Sequence, residues 1–125
     1  MARVLLVEDN PHHVELARRV LAARGYEVLT APDGESGLQV AREQLPDIIL
    51  LDLGLPDVDG QTLLGWLRRV PELKDTPIIA VTAWPAGAVP DMVAAYGFDG
   101  YITKPIHFSA FADQIATYLP HSASA

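Results

Sequence analysis

The sequence contains no cysteine, which excludes disulfide bridges and thiolate metal sites and suits a reducing compartment. It is also short of positive charge: 9 Lys and Arg stand against 16 Asp and Glu, for a formal net charge of −7. Binding nucleic acid by neutralising phosphates needs clustered Lys and Arg. The densest basic groups here are the pairs Arg18-Arg19 and Arg68-Arg69, which read as solvated helix faces, so no direct nucleic-acid contact is expected. No apolar run is long enough to cross a bilayer. The start, Met1-Ala2-Arg3-Val4, enters a strand-like run with none of the layout of a signal peptide. A cytoplasmic protein that engages no membrane is therefore expected. No glycine-rich loop follows the first apolar run, so the usual phosphate cradle of nucleotide and flavin binders is missing. What remains is a chain of 125 residues, 50% hydrophobic, the right size for one domain with a substantial core.

Three continuous apolar runs of strand length are present: Val4-Leu5-Leu6-Val7, Ile48-Ile49-Leu50-Leu51 and Ile78-Ile79-Ala80-Val81. Runs without alternation fit strands buried on both faces of a parallel sheet. Tyr26 to Ala31 and Gly100 to Thr103 are weaker strand candidates, rich in Tyr, Val, Ile and Thr. Helical signals fill the intervals. Asn10-Pro11 reads as an N-cap with Pro in the first turn, Val14, Ala17 and Leu21 share one face, and Gly25 ends that helix. Asp33 caps a second helix carrying Leu38, Ala41 and Leu45, which stops near Pro46. A third carries Leu63, Leu64, Leu67 and Val70 and stops before Pro71. Two prolines and a glycine between Trp84 and Pro90 shorten the fourth to roughly 91–96. The last carries Phe108, Phe111, Ile115 and Leu119 before Pro120. Strand and helix thus alternate five times, which predicts an α/β domain, a parallel five-stranded sheet with helices on both faces. Residues 1–120 form that domain and 121–125 read as a disordered tail.

Polar residues cluster at the ends of the strand runs. Glu8 and Asp9 follow the first, Asp52 the third and Thr82 the fourth, while Lys104 lies just beyond the fifth. Ligands of open parallel sheets bind beyond the carboxyl ends of the strands. If the first and third strands are neighbours, three carboxylates converge there, repelling one another by about 4 kcal/mol per pair at about 4 Å and an effective dielectric near 20. Lys104 offsets part of that charge, and a hard divalent ion with oxygen ligands offsets more; Mg²⁺ suits so sparse a site. A carboxylate nucleophile, a hydroxyl, an ammonium and a metal are the parts of an in-line phosphoryl transfer. Asp52 needs no general base, because a carboxylate is already ionised at neutral pH.

Val7-Glu8-Asp9-Asn10, Leu51-Asp52-Leu53, Leu55-Pro56, Asp59-Gly60, Val81-Thr82-Ala83 and Tyr101-Ile102-Thr103-Lys104-Pro105 resemble the signatures of response-regulator receiver domains of two-component systems. The likeness covers nearly the whole chain, and its motifs are specific by their joint order and spacing. It implies the flavodoxin-like (βα)5 three-layer sandwich of chemotaxis-type single-domain receivers, with strand order 2-1-3-4-5. It further implies that Asp52 is the phosphoacceptor, assisted by Lys104 and Thr82. Asp9 would ligate Mg²⁺ directly, Glu8 largely through water, and the Gly54 carbonyl would complete the site. Thr82 and Tyr101 would be the switch pair, and Lys104-Pro105 a cis peptide. Gly54 and Trp84, each two residues past a site residue, would look onto the phosphoryl group. The implied partners are a sensor histidine kinase or phosphotransfer protein and a downstream protein target reached through the fourth helix, fifth strand and fifth helix. The chain would act as a monomer or weak dimer, a switch and not a turnover enzyme.

Rival readings remain. The chain would also fit a receiver segment of a multidomain regulator or hybrid kinase. An Mg²⁺-dependent phosphatase with an aspartyl nucleophile generally carries a second Asp two residues on, where this chain has Gly54. His12 and His13 adjoin the acidic pair but read as an exposed first helical turn, and neither is counted as a ligand.

Overall fold

Three runs of aliphatic residues form the centre of the sheet, because only side chains apolar on both faces can sit between two helical layers. They are β1 (Arg3–Val7), β3 (Ile48–Asp52) and β4 (Ile78–Thr82). The edge strands are β2 (Glu27–Ala31) and β5 (Gly100–Thr103), and all neighbours pair in parallel in the order β2-β1-β3-β4-β5. The computed structural model describes residues 2–85 and 87–119. The tail expected at 121–125 lies outside them, as does Pro120.

Alternation is present although the sequence hides it. Val4, Leu6, Ile48, Leu50, Ile79 and Val81 pack with Ala17 and Leu21 of α1 (Pro11–Ala23) and Phe111 and Ile115 of α5 (Phe108–Ala116). Leu5, Val7, Ile49, Leu51, Ile78 and Ala80 face the other way. They meet Ala41 of α2 (Gly34–Gln44), Leu63 and Leu67 of α3 (Gly60–Arg68), and Val89 and Met92 of α4 (Val89–Tyr96). Two cores therefore sandwich one sheet. Phe111 is fully buried, and truncating such a residue to Ala costs about 3–5 kcal/mol.

Side-chain caps begin three helices, two of them where the sequence suggests. Asn10 accepts from the backbone N–H of His12 at 2.9 Å and of His13 at 3.3 Å, Asp33 from Ser36 at 2.8 Å, and Asp59 from Thr62 at 2.7 Å. Gly25, at φ +88°, turns the chain after α1 into β2.

Four helix boundaries depart from the expected ones; α2 ends at Gln44 and α3 at Arg68, leaving Leu45 and Val70 just outside them. α4 begins at Val89, not near Asp91, because Pro90 falls in its first turn, where no N–H is needed. α5 stops at Ala116 instead of running to Leu119. Beyond it the amides of Tyr118 and Leu119 bond to carbonyls three residues back, tightening the last turn. Leu119 still reaches the core, being 8% exposed.

Candidate functional site

The parallel register brings the strand ends to one level. Val7 pairs with Leu51, Asp52 with Val81, and Thr82 with Thr103. Read across the sheet, the carboxyl edge therefore presents Glu8 and Asp9 after β1, Asp52 at the end of β3, Thr82 at the end of β4, and Lys104 after β5. By parity with Ile48 and Leu50, Asp52 belongs to the α1/α5 face. It lines a small cavity there with Glu8, His13, Ala17 and Ile106.

Asp52 is 3% exposed, and its Oδ1 accepts from Lys104 Nζ and from the Gly54 N–H, each at 2.9 Å. Glu8 is 4% exposed; its Oε2 accepts from the Asn10 N–H at 3.3 Å, and its Oε1 lies 3.2 Å from His13 Nδ1. Asp9 is exposed, yet carboxylate oxygens of Glu8, Asp9 and Asp52 all lie within 4.8 Å of one another. Burial, helped by the hydrogen bond and charge of Asp52, pushes the Glu8 carboxyl up to about 7. Burial also raises Asp52, but hydrogen bonds from Glu8, the Gly54 N–H and Lys104 outweigh it and leave that carboxyl below its ordinary value. The pair thus resolves its repulsion by keeping a proton on Glu8 and an ionised carboxylate at Asp52.

This donor set fits a hard divalent cation. It is composed of oxygens, and three acids face one ammonium, an excess of negative charge that a divalent cation would offset. Glu8, Asp9 and Asp52 are the residues placed to hold such an ion.

Thr82 is 1% exposed and its Oγ1 accepts from the Trp84 N–H at 3.0 Å, which leaves the hydroxyl hydrogen free to donate elsewhere. Tyr101 stands 37% exposed on β5. The Lys104–Pro105 peptide is cis. Trp84 is 45% exposed and lines a small cavity with Leu53, Gln61 and Tyr96, on the α3/α4 side of the site.

Sequence reasoning left two neighbours of the site unassigned. His13, expected on an exposed first turn, is folded back onto Glu8 by the cap that starts α1; Asn10-Pro11 fixes where that turn begins. Asp57 accepts from the Gly34 and Glu35 N–H groups at 2.8 and 3.1 Å, tying the β3–α3 loop to the start of α2. No local pattern signals a bond between residues so distant in sequence.

Known proteins share this arrangement. The response regulator receiver domain family matches residues 4–116. The polar-differentiation response regulator DivK of Brucella anthropi is 39% identical over 116 residues, which span 93% of this chain and 94% of DivK. The chemotaxis response regulator CheY4 of Vibrio cholerae superposes with a TM-score of 0.89 at 28% identity, covering 95% of this chain and 99% of CheY4. The receiver domain of the Pseudomonas aeruginosa sensor histidine kinase PA1611, a structure with magnesium coordinated in its active-site cleft, superposes at 0.83 with 29% identity, covering 94% of this chain and 96% of that one. With the family model matching residues 4–116 and a relative 39% identical along nearly its whole length, this chain belongs to the response regulator receiver domain family.

Proposed function

We propose that Asp52 is the phosphoacceptor of this receiver and that Glu8, Asp9, Asp52 and the Gly54 carbonyl hold Mg²⁺. The observation that carries this reading is a buried, ionised Asp52 carboxylate fixed by Lys104 inside the acidic cluster. An Asp52 oxygen forms the new bond to phosphorus as the donor's phosphorus–nitrogen bond breaks, and the departing imidazole of a phosphohistidine takes up a proton. Lys104 neutralises one phosphoryl oxygen, and the Thr82 hydroxyl donates to another. When bound, Mg²⁺ supplies the remaining positive charge.

The donor is a sensor histidine kinase or a phosphotransfer protein. An open groove of about 490 Å³ beside Lys104, walled by Leu16, Ala83, Pro105, Ile106 and Phe108, offers it an apolar docking surface. Output passes through α4, β5 and α5: Thr82 moves toward the phosphoryl group, and Tyr101, exposed in this structure, turns inward behind it. The protein works as a cytoplasmic switch, without sustained turnover of phosphate esters.

Intact mass after incubation with acetyl phosphate tests this assignment. One phosphoryl group is gained by the wild type in Mg²⁺, none in chelator, and none by Asp52→Asn in either. A phosphorylated Asp52→Asn would refute the choice of residue.

A further inference from the structure

We infer that His13 is a positioning residue for the metal-binding edge, holding the Glu8 carboxylate in the orientation that receives the cation. This rests on the reading of Glu8, Asp9 and Asp52 as a Mg²⁺ site.

Glu8 is almost wholly buried, so its two oxygens must find partners within the protein. Oε2 has the Asn10 N–H at 3.3 Å, a long and weak bond. Oε1 has His13 Nδ1 at 3.2 Å. Once Glu8 ionises to meet a cation it can only accept, and Nδ1 is then the nitrogen that carries the hydrogen. Without His13, the long bond from the Asn10 amide is what remains to hold Glu8. A buried carboxylate held by one long bond is less fixed in orientation when the cation arrives.

The position of His13 is set by the fold. Asn10 accepts from the His13 backbone N–H at 3.3 Å, so the same cap that starts α1 fixes where the imidazole leaves the helix. The ring spans two environments: its side chain is 43% exposed, while the Glu8 side chain it meets is 4% exposed. His13 therefore acts on the metal only through Glu8. Hydrogen-bond partners of ligating carboxylates commonly control metal affinity by one to two orders of magnitude, because they fix the ligand before the ion arrives.

Calorimetric titration with Mg²⁺ tests the inference on the wild type, His13→Ala and His13→Asn, with thermal midpoints in EDTA as a check on folding. Asn places an amide N–H near the position of Nδ1. His13→Ala is expected to bind Mg²⁺ about 10-fold more weakly, and His13→Asn to return within about threefold of the wild type. Midpoints in EDTA should stay within a few degrees of one another, since nearly half of the replaced side chain is exposed. An Ala variant with wild-type affinity overturns the role of His13 and leaves the metal reading standing. Equal weakening of both variants also overturns it, because the donated hydrogen bond is then not what matters. A wild type that binds no Mg²⁺ overturns the metal reading and this inference together.

Discussion

The two edges of the sheet treat charge in opposite ways. At the amino edge Arg3 and Arg68 each gather several acceptors. Arg3 donates to Glu27 at 3.1 Å and to both the carbonyl and the side chain of Gln44, while its backbone N–H goes to Asp47 at 2.7 Å. Arg68 donates to the Thr76 carbonyl at 2.8 Å and to Asp99 at 2.5 Å, and Asp99 also receives the Ile78 N–H at 2.8 Å. At the carboxyl edge three acids share one ammonium. One edge stitches loops to strands; the other keeps an excess of negative charge around a single ammonium. Stability and chemistry are thus separated along the strands, a division that open parallel sheets allow because every strand ends at the same side.

The sharpest way to break this comparison is to remove a cation from the amino edge. Arg68→Ala leaves the Thr76 carbonyl and Asp99 without their shared partner and is expected to cost about 2–3 kcal/mol in urea unfolding. Arg68→Lys should recover less than half, since a single ammonium cannot serve both acceptors at once. Acetyl phosphate labelling of the folded fraction should be unchanged. A loss below about 0.5 kcal/mol would place this network among the ordinary surface pairs and remove the contrast.

The carboxyl edge should answer in the other direction. Glu8 ionises near 7 in the folded protein against an ordinary value of 4.5. Between those values the native state holds a proton that the unfolded chain releases, so the stability of the chelated protein falls as pH rises through that window and levels off above it. The expected loss is about 2 kcal/mol, less than the full shift implies because Glu8 and Asp52 titrate together. Asp52, held below 3.8, contributes in the opposite sense and only at more acidic pH, outside this window. Glu8→Gln should flatten the slope, measured by urea midpoints from pH 5 to 8 in EDTA. Parallel slopes for the two proteins would mean that the acidic edge carries no stored repulsion.

Much of this was legible beforehand, for identifiable reasons. The central strands show because residues such as Ile49 and Leu50, buried on opposite faces, cannot be exchanged for polar ones. The starts of α1 and α2 show because Asn10 and Asp33 act on amides two or three residues away, within the reach of a local pattern. Glu8, Asp9, Asp52, Thr82 and Lys104 stand out because each follows or ends an apolar run. What stayed hidden depends on distance in sequence or on the last turn of a helix. Arg68 looked like one half of a solvated basic pair, and only the fold brings it to Asp99. The end of α5 was misjudged because Leu119 keeps an apolar contact after the helical hydrogen bonds have tightened, so periodicity continues where the helix does not. α4 began early because Pro, read as a breaker, is welcome in a first turn.

The smallest expected effect tests whether the amino edge is relaxed throughout. Leu45 closes α2 at that edge with φ +47°, donates its N–H to the Ala41 carbonyl at 3.0 Å, and is 45% exposed. Pro46 follows and disfavours the right-handed region for the residue before it, so the turn falls to a side chain poorly suited to left-handed backbone. Glycine adopts that conformation without the steric penalty, though it loses more entropy on folding. Leu45→Gly is therefore expected to stabilise by about 0.5–1 kcal/mol, read as a higher urea midpoint at unchanged slope. Mg²⁺ affinity should not move, because this turn lies at the opposite end of β3 from Asp52. A destabilised variant would show that the half-exposed leucine contributes packing worth more than the strain it imposes, and that the amino edge is already at rest.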